Sequence, residues 1–110
     1  IPVQPQYYAA DGLVELLSVV KGIKQRFNPG LEIEGILFTM DSSRYNNSKR
    51  NKQAVKMAYG KEMRIFEKSI PRSEAIAETA SEGVSIFAYD SRSKGAKSYA
   101  ELAEEVLNHA

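Results

Sequence analysis

Leu31-Glu32-Ile33-Glu34-Gly35-Ile36-Leu37-Phe38-Thr39-Met40 is the stretch that decides the fold class. Its centre, Ile36-Leu37-Phe38, is apolar without alternation, the pattern of a strand covered on both faces, and such strands are typical of parallel sheets. Immediately upstream, Asn28-Pro29-Gly30 ends a helix, because Pro29 restricts the residue before it and Gly30 tolerates the turn. Before that breaker, from Asp11 onward, Leu13, Leu16, Leu17, Val20, Ile23 and Phe27 recur at helical spacing, which predicts an amphipathic helix with one buried stripe. Further back, Ile1-Pro2-Val3 reads as the end of another apolar strand, which suggests a piece of a longer protein.

Downstream, the polar stretch from Asp41 to Ser48 leads into a helical segment from Lys49 to Tyr59, with Gly60 as its stop. Met63 to Ile70 reads as a strand ending at Pro71. Ser73 to Glu82 reads as a helix with Ser73 as N-cap and Gly83 as terminator. Ile86-Phe87 is a short apolar piece before the turn-rich Asp90-Ser91-Arg92-Ser93. In the last helix Tyr99, Leu102, Ala103, Val106 and Leu107 share a face, with Glu101, Glu104 and Glu105 outside it. Strands alternating with helices predict a single α/β domain over residues 1–110, with a parallel sheet and right-handed crossovers. Ligands of such sheets bind beyond the C-terminal ends of the strands, here the loops after Val3, Met40 and Ile70.

The composition agrees with one globular domain and removes much chemistry. The 110 residues are 43% hydrophobic and 26% charged, with no Cys, no Trp and a net charge of +1. A domain of this size buries enough surface for a core without metals or disulfides. The absence of Cys excludes thiolate zinc sites and bridges, and the single His, His109, excludes His-based metal sites and Ser/His/Asp or Cys/His catalysis within the chain. No catalytic and no metal-ligating residue is therefore assigned. No run of apolar residues is long enough for a membrane span and no segment reads as a signal peptide, so the expected compartment is the cytoplasm.

The near-neutral total hides a strong asymmetry. Between Ser42 and Lys61 stand six basic residues, Arg44, Lys49, Arg50, Lys52, Lys56 and Lys61, and no acid, while the remainder of the chain carries a net charge of −5. Clustered Lys and Arg suffice to bind a nucleic-acid backbone by displacing counterions, and Asn46, Asn47 and Ser48 can add phosphate hydrogen bonds. A solvated basic helix face produces the same pattern. Gly60-Lys61 is not a phosphate-binding loop, since Val55 stands where its first Gly belongs and Glu62 where Ser or Thr belongs. Glu32 and Glu34, two apart on one strand face, can pair for acid/base chemistry, but they read more simply as the solvated start of the strand.

Several short motifs recur in a telling order. Ile1-Pro2-Val3-Gln4, Tyr7-Tyr8-Ala9 and Gly12 are followed by Asn28-Pro29, Ile33-Glu34-Gly35-Ile36-Leu37, Thr39-Met40 and Ser43-Arg44. Then come Ile70-Pro71-Arg72, Glu78, Ser81, Gly83, Tyr89-Asp90, Ser93-Lys94-Gly95-Ala96 and Tyr99. Together they resemble the ParA/Soj family of plasmid and chromosome partitioning ATPases over about residues 1–107, most weakly from Tyr45 to Glu67.

The resemblance implies the C-terminal part of a deviant Walker-type P-loop NTPase, a mostly parallel sheet with helices on both faces, with the Walker A half absent. Members bind ATP and Mg, form a nucleotide-dependent dimer, coat DNA without sequence preference, and hydrolyse ATP when a ParB-type partner stimulates them. The glycine-rich lysine loop lies upstream of the strand at Ile1 in the family, so this chain alone is expected to bind no cofactor and to be inactive. Thr39, Met40, Pro71 and Arg72 match the two segments that wall the family's adenine pocket. Arg44 matches a DNA-contacting arginine, with Lys49, Arg50 and Lys52 beside it. A second DNA-contacting arginine of Soj-like members corresponds here to Ala75. The resemblance thus points to a cytoplasmic, nucleoid-associated protein with non-specific DNA, a ParB-type protein and its own copies as partners, and no membrane. Two alternatives stand beside it: a MinD-like membrane-associated positioning ATPase, against which the acidic last helix argues, and an α/β interaction module without enzymatic activity.

Overall fold

Two short strands, β1 (Pro2–Val3) and β2 (Leu37–Phe38), run parallel, with Pro2 opposite Leu37 and Val3 opposite Phe38. The computed structural model describes residues 1–5, 9–42 and 46–108. On the far side of β2 a third segment runs parallel through the bridges Ile36 to Ile65 and Asp41 to Pro71, so among the described residues β2 lies between β1 and that segment. Main-chain N–H groups of Leu37 and Thr39 donate to Ile1 and Val3, and those of Phe66 and Ile70 donate to Ile36 and Phe38. The parallel sheet read from Ile36-Leu37-Phe38 is therefore present, although small.

Among the described residues five helices accompany it: α1 (Ala9–Arg26), α2 (Asn46–Tyr59), α3 (Glu74–Glu82), α4 (Ile86–Asp90) and α5 (Lys94–Asn108). The core lies where Val3, Ile36 and Phe38 of the sheet meet Leu13 of α1 and Val55 of α2. Because strand side chains alternate, Ile36 and Phe38 enter this core while Leu37 turns to the opposite face and is only half-buried. The expectation of a strand covered on both faces is thus met on one face more fully than on the other.

Local signals explain the helix ends. Ser73 caps α3, its Oγ accepting from the Ile76 N–H at 3.4 Å, and Gly83 ends it in the left-handed region at φ 68°, where a Cβ would be strained. Ser85 caps α4, so the short apolar piece Ile86-Phe87 opens a helical turn, and Ile86 is buried. Gly35 permits close packing, for a Cβ there would stand 2.8 Å from the Arg64 carbonyl oxygen and 2.9 Å from Cε2 of Phe66.

Three expectations change. The stripe of α1 is only partly buried: Leu13 is covered, whereas Leu16, Ile23 and Phe27 are 42%, 42% and 81% exposed. The Met63 to Ile70 strand is interrupted, since Phe66 and Ile70 bond to Ile36 and Phe38, four residues against two. Glu67, Lys68 and Ser69 consequently bulge outward. Two N–H groups of this bulge, those of Glu67 and Lys68, donate to the two carboxylate oxygens of Glu105 at 2.9 Å each. In α5 Leu102, Glu105 and Val106 are partly buried, while Tyr99, Ala103 and Leu107, expected on the packed face, are exposed, Leu107 to 73%.

Candidate functional site

The C-terminal ends of β2 and of the third segment emerge side by side. The Asp41 N–H donates to the Ile70 carbonyl at 3.0 Å, and the Arg72 N–H returns to the Asp41 carbonyl at 3.1 Å. This pairing sets Thr39 and Met40 against Pro71 and Arg72 across a concavity of about 320 Å3. All four residues singled out from the sequence line it, joined by Ile76 of α3 and Tyr99 of α5. The position, beyond the carboxyl ends of parallel strands, is where open α/β sheets hold ligands.

The walls are mostly apolar, from Met40, Ile70, Pro71, Ile76 and the ring of Tyr99, with Thr39, Arg72 and Glu74 supplying polar groups. Its size sits at the small end for ligand sites, suited to one planar ring system rather than a large substrate. Met40 adopts φ 48°, a left-handed conformation that costs a side-chain-bearing residue about 1 kcal/mol or more. Such strain persists only where neighbours enforce it, and here the Asp41 pairing on one side and the Thr39 to Val3 hydrogen bond on the other hold it. The Ser73 hydroxyl is engaged as the α3 cap. Sequence reasoning placed Tyr99 on the apolar face of its helix but did not connect it with the strand ends; Ile76 carried no signal beyond helical spacing.

The basic run divides once folded. Arg44, like Tyr45, lies outside the described residues. Lys49, Arg50 and Lys56 project from α2 into solvent, and Lys61 follows, also exposed. The first turn of α2 holds no acid, whereas Lys56 in the last turn complements the negative end of the helix. Lys52 behaves differently: it forms an ion pair with Asp41, lies 5.7 Å from the centroid of the Phe38 ring, and is only 27% exposed. Lys49, Arg50 and Lys52 thus sit on one helix, but only the first two are free in solvent.

Some of the other charged groups have structural partners. Glu34 pairs with Arg64 at 3.5 Å, that guanidinium stacks 4.3 Å from the centre of the Phe66 ring, and Glu32 and Glu34 are both exposed. Tyr89 donates to the Glu78 carboxylate, and this hydrogen bond, with the adjacent negative charge, raises the phenol above its usual range. No helix among the described residues is long and apolar enough to cross a membrane.

No family model matches the chain. Curated proteins do. A protein of Myxococcus xanthus named chromosome partitioning protein ParA is 39% identical over 107 residues, which is 97% of this chain and 37% of that protein. A Bacillus subtilis protein named sporulation initiation inhibitor protein Soj is 40% identical over 106 residues, 96% of this chain and 41% of its own length. A Treponema pallidum protein named chromosome-partitioning ATPase Soj is 36% identical over 107 residues, 97% of this chain and 42% of its own. The chain spans about two fifths of the length of the curated relatives it matches.

Proposed function

The chain is a homologue of the ParA and Soj partitioning proteins, and we propose that it forms the C-terminal portion of such an ATPase. In this role it serves as a single α/β domain that supplies part of the adenine pocket and a basic surface for DNA of any sequence. The observation that carries the reading is the meeting of Thr39 and Met40 with Pro71 and Arg72 in one concavity at the strand ends.

Met40, Ile70, Pro71 and Tyr99 fit an adenine ring, being apolar and able to cover both its faces, with Thr39 and Arg72 placed for its polar edge or the sugar. Among the described residues no group of three or more His, Cys, Asp or Glu is gathered to hold a metal. In the parent, the triphosphate and Mg2+ are assigned to the parts that this chain does not span. ATP bound there closes the parent's dimer and powers its cycle, with a ParB-type protein stimulating hydrolysis. Arg44, Lys49 and Arg50 meet phosphate oxygens on the nucleoid, each contact replacing a condensed counterion.

Two measurements test the reading. Titrating adenosine into the isotopically labelled chain shifts the amide resonances of Thr39, Met40 and Arg72 before others; shifts scattered over the surface overturn the adenine assignment. Duplex binding across a salt series loses about 0.9 from its logarithmic slope when Lys49→Gln or Arg50→Gln is introduced. An unchanged slope in both variants overturns the DNA surface.

A further inference from the structure

Lys52 lies at the border between the buried and the basic faces of α2. Counted along the helix it shares a stripe with Lys49 and Lys56, yet those two are exposed and Lys52 is drawn under the strand end. The group that draws it there is Asp41. The side chain of Asp41 is 10% exposed, and its Oδ2 accepts both from Lys52 Nζ and from Ser69 Oγ, the latter at 3.0 Å. Its main chain is equally occupied, pairing with Ile70 and Arg72. One residue thus joins the lip of the pocket at Met40, the bulge at Ser69 and the middle of the basic helix.

Resting on the reading of α2 as a phosphate-binding face, we infer that Asp41 is an internal competitor for Lys52, withholding one cation from nucleic acid. A lysine cannot serve a carboxylate and a phosphate oxygen fully at once, and the Asp41 partner is already positioned whereas a phosphate must be captured. The ion pair is also sheltered, so salt screens it less than it screens an exposed contact. In the resting fold the surface therefore presents Lys49, Arg50 and Lys56 without Lys52. Any event that displaces the Met40-Asp41 segment releases a further positive charge on the same stripe. Because Met40 lines the pocket and Asp41 follows it directly, occupancy of the pocket and charge on α2 share this one residue.

The test is the salt dependence of duplex binding by the 110-residue chain. In Asp41→Asn, which keeps an acceptor for Ser69 and removes the charge, the slope of log affinity against log salt steepens by about 0.9, and affinity at low salt rises several-fold. Lys52→Gln alone leaves the slope at its original value, whereas Lys52→Gln added to Asp41→Asn removes the gain. A slope that drops with Lys52→Gln alone overturns the inference, because Lys52 is then already on phosphate, and this arm holds even if Asp41→Asn does not fold. A folded Asp41→Asn with an unaltered slope overturns it as well. Absence of salt-sensitive binding in the parent chain and in Asp41→Asn overturns the phosphate-binding reading itself, and the inference with it.

Discussion

Replacing Glu105 by Ala removes the acceptor for two consecutive main-chain N–H groups at the Glu67-Lys68 bulge, each held at 2.9 Å. A hydrogen bond to a charged group contributes about 1.5–3 kcal/mol when sheltered, and less where water replaces the lost acceptor. Both N–H groups lie near the surface, so the pair is expected to contribute about 1–2 kcal/mol rather than the full sum. With an unfolding entropy of about 2.1 cal/mol/K per residue, that loss lowers the melting temperature of a chain this long by roughly 4–9 °C. Glu105→Gln retains one carbonyl oxygen and loses about half as much. The controls are Glu101→Ala, whose carboxylate stands 3.9 Å from Lys68 with both side chains about half exposed, and Glu104→Ala, which is exposed. Both should stay within about 0.5 kcal/mol of the parent. Urea unfolding followed by circular dichroism reads all four variants, and the slope with denaturant should not change. Equal stability of Glu105→Ala and Glu104→Ala would refute the argument that this carboxylate fastens α5 to the sheet.

Gly35→Ala forces a Cβ to within 2.8 Å of the Arg64 carbonyl and should destabilise by about 1–3 kcal/mol, measurable in the same denaturant titration; a neutral result would mean that the strands separate freely at this point. The raised pKa of Tyr89 comes first from its hydrogen bond to Glu78. The phenol proton is held more tightly in the folded state, so this contribution is complete below the ordinary tyrosine pKa and is lost as pH rises through the folded value. Difference ultraviolet titration should show one phenolate forming at lower pH in Glu78→Gln than in the parent, and superimposable curves would remove Glu78 as the cause.

Legibility differed from element to element. The α3 helix was readable to the residue because its ends are local chemistry: a serine hydroxyl that reaches an N–H three residues on, and a glycine that accepts a left-handed backbone. The strand at Ile36-Leu37-Phe38 was readable because unbroken apolar character needs cover, yet its two faces turned out unequally buried. The bulge at Glu67 to Ser69 was not readable, since those residues are compatible with an exposed strand edge and only the register against β2 leaves their N–H groups unpaired. The partial burial of Glu105, which accepts from the N–H groups of that bulge, was hidden for the same reason. For the pocket, two of its walls could be named from the motifs Thr39-Met40 and Pro71-Arg72, while the contribution of Tyr99 depended on how α5 crosses the strand ends.

By itself the amino-acid order determined apolar strand segments among helical ones, the caps of α3, the lack of cysteine, and a basic segment offset by an acidic remainder. These are sums over neighbouring residues, and periodicity, capping and charge counts need no knowledge of what lies across the fold. Tertiary structure alone decided that Thr39-Met40 and Pro71-Arg72 share one concavity, that α1 leaves Ile23 and Phe27 uncovered, and that Lys52 answers to Asp41 instead of to solvent. Each of these depends on a pairing between residues distant in the chain. For Lys52 the separation from its carboxylate is only eleven positions, but where α2 lies relative to the end of β2 determines whether the two charges meet or point apart.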